Sequence, residues 1–372
     1  MRSTKWLAVL AAAALSAGLA ACGSSNNNKS STSGGSSSSS GGGGKKIALL
    51  LPESKTARYE SHDRPLFVAK LKELCPDCSV IYSNADQDAA KQQQQAEAAL
   101  TQGANVLVLD PVDAASAGAI VTRAKQSKVP VVSYDRLIQK APVDYYVSFD
   151  NAKVGELQGT ALVDKLKKDG QKGSIVMING APTDSNAALF KKGAHSVIDS
   201  SGLKVAKEYD TPDWSPDKAQ SEMEQAITAL GKTGFVGVYA ANDGTAGGAI
   251  AAMKSNGLAP TKIPTTGQDA ELAGIQRIVA GQQYMTIYKA IKPEADAAAQ
   301  LAYDLSQGKK PAGGLVNGST DNGQGSIPSV LFQPVAVTKA NVMDTVIKDG
   351  YWKASEICTG QYAAACKAAG IQ

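Results

Sequence analysis

Six places along the chain set charged, amide or aromatic side chains directly behind a short apolar run, and these are the residues that could do chemistry. Asp135 and Arg136 follow "VVSY", Arg58 and Tyr59 follow the run that begins "KIALLLP", and Asp184, Ser185 and Asn186 follow "IVMING". Asn242 and Asp243 follow "VGVYA", Gln268 and Asp269 follow "PTTG", and Lys289 follows "MTIY". An ionised aspartate only accepts hydrogen bonds, arginine and lysine only donate, and asparagine does both. Planar charged groups engage adjacent hydroxyls in pairs, and charge-assisted bonds are the stronger kind. Such a set suits a ligand rich in hydroxyls, each of which donates and accepts. The apolar C–H faces of a sugar ring would stack on aromatics, for which Tyr59 and Trp214 of "TPDWSPD" are the candidates. Polar strand-to-helix loops and helix caps would account for part of this set with no ligand at all. Asp243, ahead of Gly244 and Thr245, is one such cap, and Trp214 could be a loop anchor. Caps do not account for Arg58, Arg136 and Lys289, because cations are disfavoured at helix N-termini.

The elements that must position these residues alternate regularly from residue 46 onward. Apolar runs read as buried strands, and amphipathic stretches read as helices, among them 152–168, 186–199, 216–230, 245–256, 271–280 and 293–307. "IPTTGQD" and "SVLFQPVAV" each read as one strand. Continuous apolar strands separated by helices imply parallel sheets covered on both faces. More than ten strands in 372 residues imply two doubly wound domains. Ligands of such sheets bind just beyond the carboxyl ends of the strands, which is where the polar residues stand.

The first 45 residues read as an address. Arg2 and Lys5 precede an apolar stretch too short to span a bilayer, followed by "LAAC" ending at Cys22. A cysteine behind small residues is similar to the bacterial lipobox, which implies cleavage after residue 21 and a lipid on Cys22. Residues 23–44, nearly all Ser, Gly and Asn, cannot offset their ordering entropy and read as a flexible tether. Four cysteines remain in what would be an exported protein, and an even count there points to disulfides. The sequence-local pairing, Cys75 with Cys78 and Cys358 with Cys366, is the simplest of three. A redox-active "CPDC" is the sharper alternative for the first pair.

Several stretches together, "YDRLI", "VSFDNAKVGELQ", "ANDGTAGGAIAA", "GQDAELAGIQRIVAGQQYMTIYK" and "VIKDGYWKASEI", resemble the sugar-binding branch of the type I periplasmic binding proteins, its xylose binders in particular. The resemblance runs from about residue 46 to 356. It implies an α/β fold of two Rossmann-like, doubly wound parallel-sheet lobes joined by a three-strand hinge, with a sugar held between them. The expected lobes are 46–149 plus about 293–328, and 150–292 plus about 329–372. It also implies that Arg58, Tyr59, Asp135, Arg136, Asp184, Asn186, Trp214, Asn242, Asp269 and Lys289 face the sugar. Tyr59 stands where the xylose binders carry a tryptophan, so the stacking surface differs in size and polarity. D-xylose or a similar aldopyranose is the expected ligand. "TARYES" is equally similar to multi-sugar binders of glucose, galactose or arabinose. Lobe closure would deliver the sugar to the permease of an ABC transporter, from a monomer held at the outer membrane face. Presentation of the sugar to a chemosensory receptor is the alternative role.

Other classes fit less well. Formal net charge is +4, or +2 without Arg2 and Lys5, which is no basis for nucleic-acid binding. Repressors of the same fold carry a helix-turn-helix where this chain has its tether. His62 and His195 lack metal-ligand spacing, so neither a metal nor a cofactor is expected. A glycosidase would need two carboxylates flanking the bond. The many cations are expected to keep the site's carboxylates ionised, which suits no general acid.

Overall fold

Two sheets of unequal size grow out of the apolar runs. The structure is a computed structural model that describes residues 44–371. The leader, Cys22 and all of the tether but its last residues lie outside the described residues. Along the chain, β1 (Lys46–Leu51), α1 (Arg64–Leu74), β2 (Ser79–Asn84), α2 (Ala89–Thr101), β3 (Val106–Leu109), α3 (Gly118–Gln126), β4 (Val131–Tyr134) and β5 (Tyr145–Phe149) come first. Then come α4 (Asn151–Lys168), β6 (Ser174–Asn179), α5 (Ser185–Ile198), β7 (Lys204–Asp210), α6 (Pro216–Leu230), β8 (Gly237–Ala240), α7 (Asp243–Ser255), α8 (Leu272–Val279) and β9 (Met285–Tyr288). Last come α9 (Ile291–Ser306), β10 (Gly318–Asp321), β11 (Ser326–Phe332), β12 (Val335–Thr338) and the short α10 (Ala354–Ile357) and α11 (Ala363–Ala368).

The larger sheet has seven strands in the order β2-β1-β3-β4-β5-β11-β10. All its pairs are parallel except β10 with β11. The smaller sheet is β7-β6-β8, all parallel, and β9 pairs antiparallel with β12 beside it. Both faces are covered, as the unbroken apolar runs require. In β1, Ile47, Leu49 and Leu51 enter one core while Ala48 and Leu50 enter the other. In β6, Ile175 and Met177 face one core, and Val176 and Ile178 the opposite one. Each such fully buried aliphatic side chain contributes about 1.5–3 kcal/mol.

The chain passes between the sheets three times, at Phe149–Asn151, Tyr288–Ile291 and Phe332–Val335, so the type I periplasmic binding protein architecture of two hinged lobes is present. The limits of the six helices expected from residue 152 onward agree with the sequence reading within two residues, whereas α3 starts four residues later than its run from Ala114 suggests. Two strand expectations fail. "SVLFQPVAV" is two strands in different sheets, β11 and β12, broken at Gln333–Pro334. Proline has no N–H for a ladder. "IPTTGQD" forms no regular strand and pairs only through the bridge Val238–Thr265. Its Thr266 hydroxyl takes the Ala240 N–H at 2.8 Å, a bond that a backbone ladder would have used. Both sequence-local disulfides, Cys75–Cys78 and Cys358–Cys366, are formed.

Caps and close packing orient the site. Asp88, Asp150, Asp184 and Asn242 each accept a backbone N–H at the start of α2, α4, α5 and α7. Helices α4 and α5 pack tightly because Gly155 and Gly193 face the other helix's backbone. A Cβ would lie 1.9 Å from Phe190 O at the first and 2.1 Å from Ala152 O at the second.

Candidate functional site

The chain leaving β1 turns through Arg58 into a single π-helical turn, Tyr59–Asp63. Arg58 is buried, and Asp63 grips it in two bonds, Nε to Oδ2 at 3.0 Å and Nη2 to Oδ1 at 2.7 Å. Nη2 also donates to Glu294 at 3.3 Å, and Tyr134 donates its hydroxyl to Asp63 at 2.6 Å. The remaining nitrogen, Nη1, stands 3.6 Å from Asp135 Oδ1 and 3.6 Å from Asp269 Oδ1. The guanidinium is thus fixed from behind with one N–H₂ edge left over.

Asp135, just past β4, is left-handed at φ +53°, which costs a non-glycine residue energy unless its neighbours hold it there. They do: its N–H donates to Val147 O at 2.8 Å. Its carbonyl accepts from Ser148 at 2.6 Å, Asn186 at 3.0 Å and Tyr146 at 3.1 Å. The reversal turns the carboxylate inward, where Oδ2 accepts from Tyr59 at 3.0 Å. Arg136 turns inward as well. Its Nη1 donates to Pro111 O at 3.2 Å and Nη2 to the Tyr59 hydroxyl at 3.3 Å, with Nε 3.0 Å from Asp184 Oδ2. The opposite charges that end β4 are therefore buried, at 3% and 2% exposure, and are no surface turn.

The other lobe supplies the facing wall. Asp269 has φ +86°, and Lys289 lies 3.0 Å from its Oδ1 and 3.9 Å from that of Asp135. Trp214 donates Nε1–H to Asp184 Oδ2 at 3.0 Å. Gly180 makes room for its ring, since a Cβ there would lie 2.0 Å from Cη2. Asn242, not Asp243, is the cap of α7. Its Oδ1 takes Thr245 N–H at 2.8 Å, and among the described residues no protein acceptor engages its Nδ2. Asp243 instead lies buried beneath the loop, accepting from Gln283, Thr286 and the Glu271 N–H.

All ten expected residues line one cavity with about 260 Å³ of empty space, together with Thr56, Phe190 and Gln268. They divide into two kinds. Asp184 and Asn186 spend their oxygens on protein partners, Asp184 on Asn186 N–H and Trp214, Asn186 on Asn151. By contrast Asp135 Oδ1 and Gln268 Oε1 are buried acceptors with no hydrogen-bond donor, and Asp269 Oδ1 meets the Lys289 ammonium at 3.0 Å. Gln268 stands at a strand end in the sequence, where only its neighbour Asp269 is singled out. Thr56 and Phe190 carry no strand-end signal. The second layer of Glu53, Asp63, Asp110 and Glu294 is invisible in the sequence, because nothing local distinguishes a buried acid from a solvated one.

That second layer corrects the expectation that the cations keep every carboxylate ionised. Seven buried acids, those four with Asp135, Asp184 and Asp269, surround three cations, Arg58, Arg136 and Lys289. Burial pushes the carboxyls of Asp110, Glu294 and Asp184 above their usual range, and Arg136 or Arg58 only partly opposes it. Asp135 goes the other way. Burial pushes it up, but Arg58, then Lys289 and Arg136, outweigh that and hold it down at about 2.

Residues 47–310 match the family model described as periplasmic binding protein domain. The chain is 40% identical over 315 residues to the D-xylose-binding periplasmic protein of Escherichia coli, covering 84% of this chain and 92% of that protein. It is 35% identical over 290 residues to the multiple sugar-binding periplasmic receptor ChvE of Rhizobium radiobacter, covering 73% and 81%. Among solved structures, an ABC transporter solute binding protein from Clostridium phytofermentans with bound β-D-glucose superposes at a TM-score of 0.75. It is 27% identical, with 84% of this chain and all of that one covered.

Proposed function

Because the chain belongs to the periplasmic binding protein domain family, we propose that it captures a neutral monosaccharide, D-xylose, between its two lobes and delivers it to an ABC-transporter permease. It is a sugar-binding protein of the transport machinery and not an enzyme. The observation that carries the ligand class is the set of donor-less acceptors. Asp135 Oδ1 comes from one lobe and Gln268 Oε1 from the other, both buried at the same cavity beside Asp269, whose Oδ1 meets the Lys289 ammonium. A buried acceptor without a donor costs about 1–3 kcal/mol. Sugar hydroxyls supply donors to both lobes at once, so the sugar favours the closed arrangement by its differential affinity. The Nη1 edge of Arg58, Lys289 and the free Nδ2 of Asn242 supply donors to the sugar's own oxygens. Tyr59 and Trp214 offer ring faces.

The choice of xylose rests on the 40% and 39% identity to two D-xylose-binding periplasmic proteins. A hexose adds a hydroxymethyl group, a difference worth about 1–3 kcal/mol in an apolar pocket. We also propose that Cys22 carries a lipid, that the protein is a monomer, and that the lobes follow the boundaries 46–149 plus about 293–328 and 150–292 plus about 329–372.

Isothermal titration calorimetry of the purified protein against D-xylose, D-glucose, D-galactose, L-arabinose and D-ribose tests the reading, with Asp269→Ala as control. Micromolar or tighter binding of xylose, lost in the control, is expected. A hexose preference would move the specificity to the multi-sugar type, and no heat from any sugar would overturn the proposal.

A further inference from the structure

The C-terminal segment reaches both sides of the cavity without lining it. Tyr351 and Trp352 pack on the apolar cluster that contains Ala270, Ile275, Val279 and Val346. The Tyr351 hydroxyl donates to Asp269 O at 3.3 Å, and Trp352 Nε1–H donates to Ala270 O at 2.7 Å. Asp269 and Ala270 are consecutive left-handed residues, φ +86° and +48°, a backbone that persists only where its neighbours over-determine it. These two aromatics are part of what holds it.

Tyr351 also meets the opposite lobe. Its ring stacks on His62 with centroids 4.0 Å apart and planes 17° from parallel, and Trp352 meets His62 edge-on at 4.8 Å. His62 Nε2 lies 3.2 Å from Tyr351 O, to which its N–H donates, and Nδ1 lies 2.8 Å from the Ser61 hydroxyl, which itself donates to Ala57 O at 2.9 Å. His62 belongs to the turn Tyr59–Asp63, which supplies Tyr59 to the cavity and Asp63 to Arg58. A single aromatic stack therefore joins the turn that sets Arg58 to the segment that sets Asp269. Across the cavity those two groups face each other at 3.6 Å. A second contact runs alongside, Ala57 N–H to Glu271 Oε1 at 3.2 Å.

We propose that Tyr351 is a positioning residue for sugar capture. Stacked on His62 and bonded to the Asp269 carbonyl, it ties one lobe to the Arg58 turn of the other and favours the closed arrangement. This inference rests on the sugar-binding reading above. A contact made only when the lobes meet adds to the population that can hold ligand, and apparent affinity scales with that population. Losing an aromatic pair of this kind weakens binding roughly fivefold.

The test uses His62→Ala, His62→Phe, Tyr351→Phe, Tyr351→Leu and the double variant His62→Ala/Tyr351→Leu. Calorimetry gives the Kd for D-xylose, stopped-flow fluorescence gives the dissociation rate, and thermal melts without sugar report stability. His62→Ala and Tyr351→Leu are each expected to weaken binding roughly fivefold through faster dissociation, with the double no worse than either single. His62→Phe, which keeps a flat ring, restores affinity. Tyr351→Phe, which loses only the bond to Asp269, gives a smaller loss. A lowered Tm with unchanged Kd in the sugar-binding wild type's variants would overturn the clamp, as would additive losses in the double. Should Tyr351→Leu not fold, the two His62 variants decide alone. A wild type that binds none of the five sugars would overturn the functional reading itself, a distinguishable result.

Discussion

Arg58 shares its guanidinium between two buried acids, and their coupling yields a non-additive mutational effect. Asp63 makes the two short bonds and Glu294 a longer one at 3.3 Å, with every side chain at or below 1% exposure. Glu294 is pushed well above the usual carboxyl range by burial first. Arg58 opposes the shift, and Asp135 and Asp63 add to it. Glu294 is therefore protonated more readily than an exposed glutamate. Removing one partner of a buried pair ordinarily costs about 3–5 kcal/mol. In Asp63→Asn, however, a negative neighbour of Glu294 disappears, so Glu294 ionises more readily and takes over the guanidinium. Two charge-assisted bonds worth about 2 kcal/mol each are lost and one is regained, leaving a cost of about 2 kcal/mol. Glu294→Gln weakens the one longer bond, at a cost of about 1 kcal/mol. The double variant leaves the guanidinium with neither close acid and should cost about 5 kcal/mol, roughly 2 kcal/mol beyond the sum. Urea unfolding of the sugar-free protein at pH 7, followed by circular dichroism, measures all three. A sum additive within about 0.5 kcal/mol would refute the reserve role of Glu294.

Gly180→Ala places a methyl 2.0 Å from Trp214 Cη2, so the indole must leave Asp184; calorimetry should show sugar affinity down roughly tenfold or more. Asp135 has a folded pKa lowered to about 2 from 3.8, so its stabilisation is complete above pH 3.8 and is lost as pH falls towards 2. The difference in unfolding free energy between wild type and Asp135→Asn should shrink by about 2 kcal/mol across that window. Cys358→Ser/Cys366→Ser opens a loop closed by a bond eight residues apart in sequence; it should cost about 2 kcal/mol in urea unfolding. D-glucuronate should give no heat in calorimetry, because its carboxylate would meet acceptors already short of donors; binding comparable to xylose would contradict the assignment of a neutral ligand.

The α/β alternation was legible because each period is long and strongly apolar. Ile47 to Leu51 cannot be other than buried, and Asp150 or Asp184 marks a helix start by its chemistry. "SVLFQPVAV" was misread because apolarity continues across Gln333–Pro334 although the chain changes sheet there, a choice made by tertiary pairing and not by the local run. The cavity wall was legible where strand ends deliver it, hence Asp135, Asp269 and Lys289. It was illegible where helix interiors deliver it: Phe190 reads as one more apolar residue of α5, and Glu294 as one more surface acid of α9, yet both are buried at the centre. The protein partners of Asp184 and Asn186 were also hidden. Residue type proposes a hydrogen bond, but only geometry says whether a protein group has already taken it.

Replacing buried ions by well-packed apolar residues often stabilises a protein, so seven acids around three cations need an explanation other than stability. The backbone points to one. Of the nine non-glycine residues with positive φ among the described residues, Asp135, Asp213, Trp214, Asp269 and Ala270 belong to the segments that line the cavity. Asp86, Gln87, Lys128 and Lys140 lie away from it. The strain coincides with buried cavity carboxylates on opposite lobes, Asp135, whose Oδ1 has no hydrogen-bond donor, and Asp269, whose Oδ1 meets Lys289. Neither feature lowers the energy of the fold, and each is held by neighbours that do not line the cavity: Ser148 and Tyr146 behind Asp135, Tyr351 behind Asp269. Side chains fixed in this way lose little conformational freedom when a ligand arrives, and binding gains affinity chiefly when that ordering cost is already met. A hydroxyl-rich ring that donates to both carboxylates meets an arrangement fixed by folding, and the ring's own bonds then hold the lobes together.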